Sequence, residues 1–163
     1  MGRTADYSRQ SCSIAAALEV IGDPWTLLVI RDAFSGVRRF EQWQEHLGVA
    51  RNVLAARLKT LVAHGILQPQ VYSERPLRQE YVLTHKGKDL YAVLLTLHGW
   101  GSKYMYKDGE EAAVAIIHKS CGNLLDPALA CNSCGEKVER RDIELVKRHG
   151  PTVGEIMAKE DAA

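Results

Sequence analysis

The 163-residue sequence predicts a mainly α-helical protein with one small β-hairpin and a small β-rich appendage at its C-terminus. Three observations lead there. Between Arg38 and Gly65, two short amphipathic segments flank a glycine turn, Leu47-Gly48-Val49. Directly after them, Ile66 to Tyr72 and Arg78 to Thr84 read as two strands around the loop Ser73-Glu74-Arg75-Pro76-Leu77. A long stretch with helical apolar spacing, Thr84 to Tyr106, comes next. Two helices about a turn with a hairpin behind them are the sequence form of a winged helix-turn-helix.

Hydrophobic content of 46% and charged content of 25% suit a globular chain with one well-filled core. No apolar run is long enough to span a bilayer, and the N-terminus lacks a signal-peptide core. The expectation is a cytoplasmic protein with no membrane partner, its thiols kept reduced.

Taken in order, residues 1–10 are polar and aperiodic, a flexible arm. Cys12 to Ile21 reads as a helix, with Ser11 as its cap. Asp23-Pro24 starts the next helix: an N-cap aspartate followed by proline at the first helical position is a strong start signal. Trp25 to Ala33 is apolar nearly all round, as a central buried helix would be, and Ser35-Gly36 ends it. Phe40, Trp43 and Leu47 then share one face of the first helix of the pair. The second buries Leu54, Leu58, Leu61 and Val62 and stops at Gly65.

What that second helix presents to solvent matters most. A helical wheel leaves Asn52, Val53, Ala56, Lys59 and Thr60 opposite the buried stripe, with Arg57 flanking them and Arg51 in the first turn. A helix that reads a DNA groove needs a small, hydrogen-bonding centre with cations beside it for phosphates. A merely solvated helix is the alternative. The charge division favours DNA. Residues 1–37 carry three basic and four acidic groups, and residues 89–163 carry nine and twelve. Residues 38–88 carry nine basic groups against four acidic, an excess of five in a chain whose net charge is +1. Arg39, at the start of the first helix of the pair, belongs to that excess.

A hairpin behind a recognition helix is a wing, with Arg75 at its tip and Arg78 at its base, placed to touch phosphates or a minor groove. An ordinary hairpin with exposed arginines is the alternative. In the long helix, Leu90, Val93, Leu94, Leu97, Gly101 and Tyr104 recur at helical spacing, more apolar surface than a small winged helix uses. A homodimer through this helix, matched to a palindromic site, is the expectation; a helix covering the C-terminal appendage is the alternative.

Four stretches together resemble the HxlR family of bacterial winged-helix regulators, relatives of the MarR type. They are Cys-Ser-Ile-Ala-Ala-Ala-Leu-Glu-Val-Ile-Gly-Asp-Pro-Trp-Thr (12–26), Arg-Arg-Phe-Glu-Gln-Trp (38–43), Val-Leu-Ala-Ala-Arg-Leu-Lys-Thr-Leu (53–61) and Glu-Tyr-Val-Leu-Thr-His-Lys-Gly (80–87). The resemblance covers roughly residues 10–106. It implies a dimeric, sequence-specific regulator of transcription, here expected to be a repressor. The helix over 50–63 would enter the major groove of double-stranded DNA and the wing over 68–82 would touch the backbone. Candidate contacts are Arg39, Arg51, Asn52, Val53, Ala56, Arg57, Lys59, Arg75 and Arg78. Ala50 departs from the Ser or Thr common before that helix and forgoes a cap worth about 1 kcal/mol.

Three of the four cysteines cluster, in His118-Lys-Ser-Cys121-Gly122 and Cys131-Asn-Ser-Cys134-Gly135. Two ligand-x-x-ligand-Gly knuckles nine residues apart resemble a zinc ribbon, with His118, Cys121, Cys131 and Cys134 as ligands to structural Zn2+. A metal-free hairpin and a Cys131–Cys134 disulfide are the alternatives. Residues 107–150 are therefore expected to form a zinc-ribbon-like extension, with Glu144 to Lys147 a helical turn and 151–163 a disordered tail. Cys12 stands apart at a helix start, where the helix dipole favours a thiolate. The resemblance implies a candidate oxidant or electrophile sensor there; a small buried apolar residue is the alternative. Such a sensor, or an unidentified small-molecule inducer, would control the regulator.

No glycine-rich phosphate loop, nucleophile elbow or open metal position occurs, so an enzyme is not expected. A zinc-stabilised protein-interaction module without DNA readout is the competing function.

Overall fold

The computed structural model describes residues 6–108, 110–146 and 148–160, which fall into two compact units: the described residues of 6–91 with 148–160, and those of 92–146. Residues 1–5 of the expected arm and 161–163 of the expected tail lie outside the described residues.

In the first unit, α1 (Ser13–Ile21) begins at Cys12, not Ser11, as its N-cap, without a side-chain cap bond. In α2 (Pro24–Phe34) the start signal acts as its chemistry dictates: Asp23 Oδ1 accepts from the Trp25 amide at 3.0 Å, and Pro24 fills the first turn. α2 buries Thr26, Val29, Ile30 and Asp32. A buried carboxylate needs partners. Asp32 accepts from Arg31 Nε at 2.9 Å and lies 2.9 Å from His46 Nδ1, so it ties α2 to α3 (Phe40–Leu47).

α3 sinks Trp43 completely, its indole Nε1 donating to the Val29 carbonyl at 3.1 Å. Gly48 then adopts φ +62°, the left-handed turn that starts α4 (Arg51–Ala63) at its required angle. Leu54, Leu58 and Leu61 of α4 are buried to 1% exposure or less. At about 1.5–3 kcal/mol for each such side chain, this stripe accounts for much of the core.

The hairpin is antiparallel, β1 (Leu67–Glu74) against β2 (Leu77–Leu83), with Leu67 opposite Leu83 and Glu74 opposite Leu77. Its strands reach further than the spacing suggested, and the connection shrinks to Arg75-Pro76. An irregularity between Val71 and Ser73 breaks the register and marks Tyr72 as the extra residue. The hairpin is docked at its base. The Tyr81 amide donates to the Arg38 carbonyl at 2.8 Å, and Thr84 Oγ1 donates to the Gly65 carbonyl at 2.6 Å.

The long helix expected over 84–106 is interrupted. Thr84 caps a short α5 (His85–Lys88) by accepting from the Gly87 amide, and α6 (Tyr91–Tyr104) starts afresh. Gly87 is forced here, because a Cβ would collide with the Ile66 carbonyl oxygen. Among the described residues no single helix is long and apolar enough to cross a membrane; α1 and α2 pass that test only as a pair bent by 79°.

The segment expected to be a disordered tail instead carries α7 (Val153–Glu160). Val153 is buried to 1%, and the Val153 and Gly154 amides donate to the carbonyls of Gln10 and Ser8 at 2.8 and 3.0 Å. The end of the expected arm is thus held too. One valine and two backbone bonds leave little trace in a linear pattern.

The second unit has little regular structure after α6. The β-rich appendage is reduced to two isolated antiparallel bridges, Ile117 with Leu124 and Ala130 with Lys137. Residues 144–146 are not helical; a single 3-10 turn lies earlier, at Arg140–Asp142, where Asp142 Oδ2 accepts from the Glu139 amide at 2.8 Å.

Candidate nucleic-acid interface

The exposed residues of α4 are Arg51, Asn52, Ala55, Ala56, Lys59 and, at its end, Ala63. The face they form is rotated from the one the wheel predicts. Val53, Arg57 and Thr60 are half-buried, and Thr60 turns its hydroxyl back to the Ala56 carbonyl at 3.1 Å. The cause is the start of α2 on that flank: Arg57 NH1 lies 3.1 Å from Asp23 Oδ2, with both side chains 28% exposed. Arg57 is thereby engaged inside the unit. Ala55 escaped the sequence reading because an alanine suits a core or a surface equally.

Two other arginines are stacked. Arg51 lies over the Phe40 ring, 4.7 Å from its centroid, and Arg39 lies over Tyr72 of β1 at 4.4 Å. Such contacts orient the planar guanidinium while its in-plane donors stay available. Arg75 and Arg78 are exposed on the hairpin, Arg75 in its turn and Arg78 opposite Ser73, so Arg78 stands near the tip rather than at the expected base because β2 already begins at Leu77. Arg38, absent from the sequence-derived set, pairs with Glu80 at 3.5 Å. A cleft of about 270 Å³ opens between α4 and the hairpin, lined in part by Phe40, Ala55, Lys59, Val62 and Tyr81.

Cys12 is exposed at the N-cap of α1. In the second unit both knuckles are formed. The Cys121 and Gly122 amides donate to the His118 carbonyl, and the Gly135 amide donates to that of Cys131 at 2.8 Å. His118 Nδ1 lies 3.3 Å from Cys121 Sγ. The Cys134 backbone amide, helped by that of Ser133, holds the Cys131 thiol below its ordinary range. Among the described residues no three histidine, cysteine, aspartate or glutamate side chains are grouped closely enough to hold an ion, so the structure does not bring the four expected ligands together.

A glycine-turned helix pair on a buried α2, with an exposed cationic second helix and a docked hairpin, defines a winged helix-turn-helix protein. The family described as HxlR-like helix-turn-helix matches residues 20–109, and the chain belongs to it. An uncharacterised HTH-type transcriptional regulator of Mycobacterium tuberculosis is 42% identical over 131 residues, 80% of this chain and 82% of that protein. The crystal structure of the transcription factor candidate PA1607 superimposes with a TM-score of 0.76 at 35% identity, over 87% of this chain and 99% of that one. The reduced form of the Bacillus subtilis transcriptional regulator YodB matches 62% of this chain and all of its own, at 30% identity and TM-score 0.52. Likeness to PA1607 thus extends beyond the first unit into the second. The relatives matched are HTH-type transcriptional regulators.

Proposed function

We propose that the protein is a repressor that binds a palindromic operator as a homodimer, α4 lying in the major groove and the wing on the backbone. One observation carries this reading: the cations left free on α4, Arg51 and Lys59, flank small or hydrogen-bonding side chains, Asn52, Ala55 and Ala56. Asn52 near the helix start is the best base reader, since a carboxamide can pair bidentately with adenine. Arg39, Arg75 and Arg78 hold phosphates. Footprinting across the protein's own upstream region tests it: a short protected palindrome supports the reading, and no protection at physiological salt overturns it.

Dimerisation falls to α6, which has no buried residue and exposes Val93, Leu97, Trp100 and Tyr104. A Leu97→Glu chain is expected to sediment as a monomer and to lose operator affinity.

Control falls to the Cys12 thiol. Similar structures include a redox regulator, HypR, in its reduced form, at 27% identity and TM-score 0.54. Oxidant treatment should release operator DNA from the native protein and leave Cys12→Ser bound.

A further inference from the structure

The second unit lacks what normally holds a folded unit together. Among its described residues not one side chain is buried, while Val114, Ile117, Leu124 and Leu129 are 56–74% exposed. A segment of this size without an apolar core needs a disulfide, a metal or a partner to fix its shape. Its cysteines, Cys121, Cys131 and Cys134, are all free thiols.

Both knuckles nevertheless have the backbone of a metal site. Each first ligand, His118 or Cys131, accepts through its carbonyl from the amide of a glycine four residues on, Gly122 or Gly135, at 2.8 Å. Each of those glycines has the positive φ, +71° and +75°, that reverses the chain just after the second ligand. Each turn is closed by an antiparallel bridge, Ile117 with Leu124 and Ala130 with Lys137. Two separate segments have thus acquired the same turn, and only the residues at its first and fourth positions carry metal-binding chemistry.

We infer that His118, Cys121, Cys131 and Cys134 close together on one zinc ion, which serves residues 114–138 in place of a hydrophobic core. Three thiolates and one imidazole are a donor set for zinc and leave no open position in a tetrahedral site. The ion draws the four ligands together. Binding releases the three thiol protons to solvent, and histidine coordinates as the neutral imidazole, so occupancy falls as the pH drops. The role is structural, independent of whether α4 reads DNA.

Elemental analysis of the reduced full-length chain, purified without chelators or immobilised metal, is the test. One zinc per chain is expected in native protein and in Cys12→Ser, with Cys12 the only thiol that reacts quickly until a chelator exposes three more. His118→Cys should keep one zinc, whereas His118→Ala and Cys134→Ser should lose most of it, along with hydrogen-exchange protection in 114–138. Zinc well below one per chain after dialysis against zinc would overturn the proposal. So would full retention in Cys134→Ser, or, in protein isolated without added reductant, a native mass lower by the two hydrogens of a Cys131–Cys134 disulfide.

Discussion

The Arg57 guanidinium lies 3.1 Å from the Asp23 carboxylate, so the residue that caps α2 also anchors the middle of α4. Asp23 divides its oxygens between the tasks, Oδ1 accepting from the Trp25 amide and Oδ2 facing Arg57. The contact ties that flank of α4 to the start of α2. The same contact removes Arg57 from the pool of cations available to a phosphate.

Removing the two partners should therefore not be equivalent. Arg57→Ala loses a part-exposed ion pair, about 0.5–1 kcal/mol. Asp23→Ala loses the pair and the cap, about 2 kcal/mol in all. Urea denaturation of both variants and the double mutant checks this, the double mutant costing no more than Asp23→Ala. Equal losses in the two single variants would contradict the division of labour.

Trp43 is the most consequential core position in α3. Trp43→Ala leaves a large cavity and strands the Val29 carbonyl, and is expected to cost about 3–5 kcal/mol. Trp43→Phe keeps most of the apolar area but still forfeits the indole bond, for about 1–3 kcal/mol. Thermal unfolding followed by circular dichroism separates the two.

On the proposed operator, contacts to phosphates and to bases should be distinguishable. Arg51→Ala and Lys59→Ala are expected to weaken binding to all sequences, each lowering the slope of log K against log salt by about 0.9. Asn52→Ala should leave that slope alone and lose about 1–3 kcal/mol of discrimination at one base pair. Fluorescence anisotropy titrations over a salt series, on operator and scrambled duplexes, read both. Arg57→Ala should hardly alter the slope.

The α7 helix should respond to acid. Glu155 accepts from the Thr152 amide at 2.7 Å and from its hydroxyl at 2.9 Å. The backbone bond, more than any other cause, holds its carboxyl below the ordinary range. A carboxyl lowered by folding adds stability that is complete above its unfolded pKa and vanishes as pH falls through the folded value. Fraying of α7, read by hydrogen exchange, should therefore increase in the acid range below the usual glutamate pKa. In Glu155→Gln the helix should be looser at neutral pH and lose that acid response.

The start of α2, the glycine turn at Gly48, the buried stripe of α4 and the hairpin were all legible in the sequence. Each rests on contacts between near neighbours or on a periodicity of one element. The break in the long helix was not. It falls at residues 89–90, just after Gly87 packs against the Ile66 carbonyl, a neighbour that the chain brings close only by folding back through the hairpin. α7 was missed for the same reason, since its buried Val153 and its backbone partners at Ser8 and Gln10 are far apart in sequence.

The sequence by itself determined the fold class and family, the concentration of positive charge at residues 38–88 and the spacing of both knuckles. Local propensity, periodicity and charge are properties of a linear chain. Only the tertiary structure decided which cations are free. Arg57 and Lys59 are two residues apart on one helix with similar charge, yet Arg57 faces Asp23 across the α2 flank and Lys59 faces solvent. That difference is created by the packing of α2 against α4, which no spacing within α4 encodes.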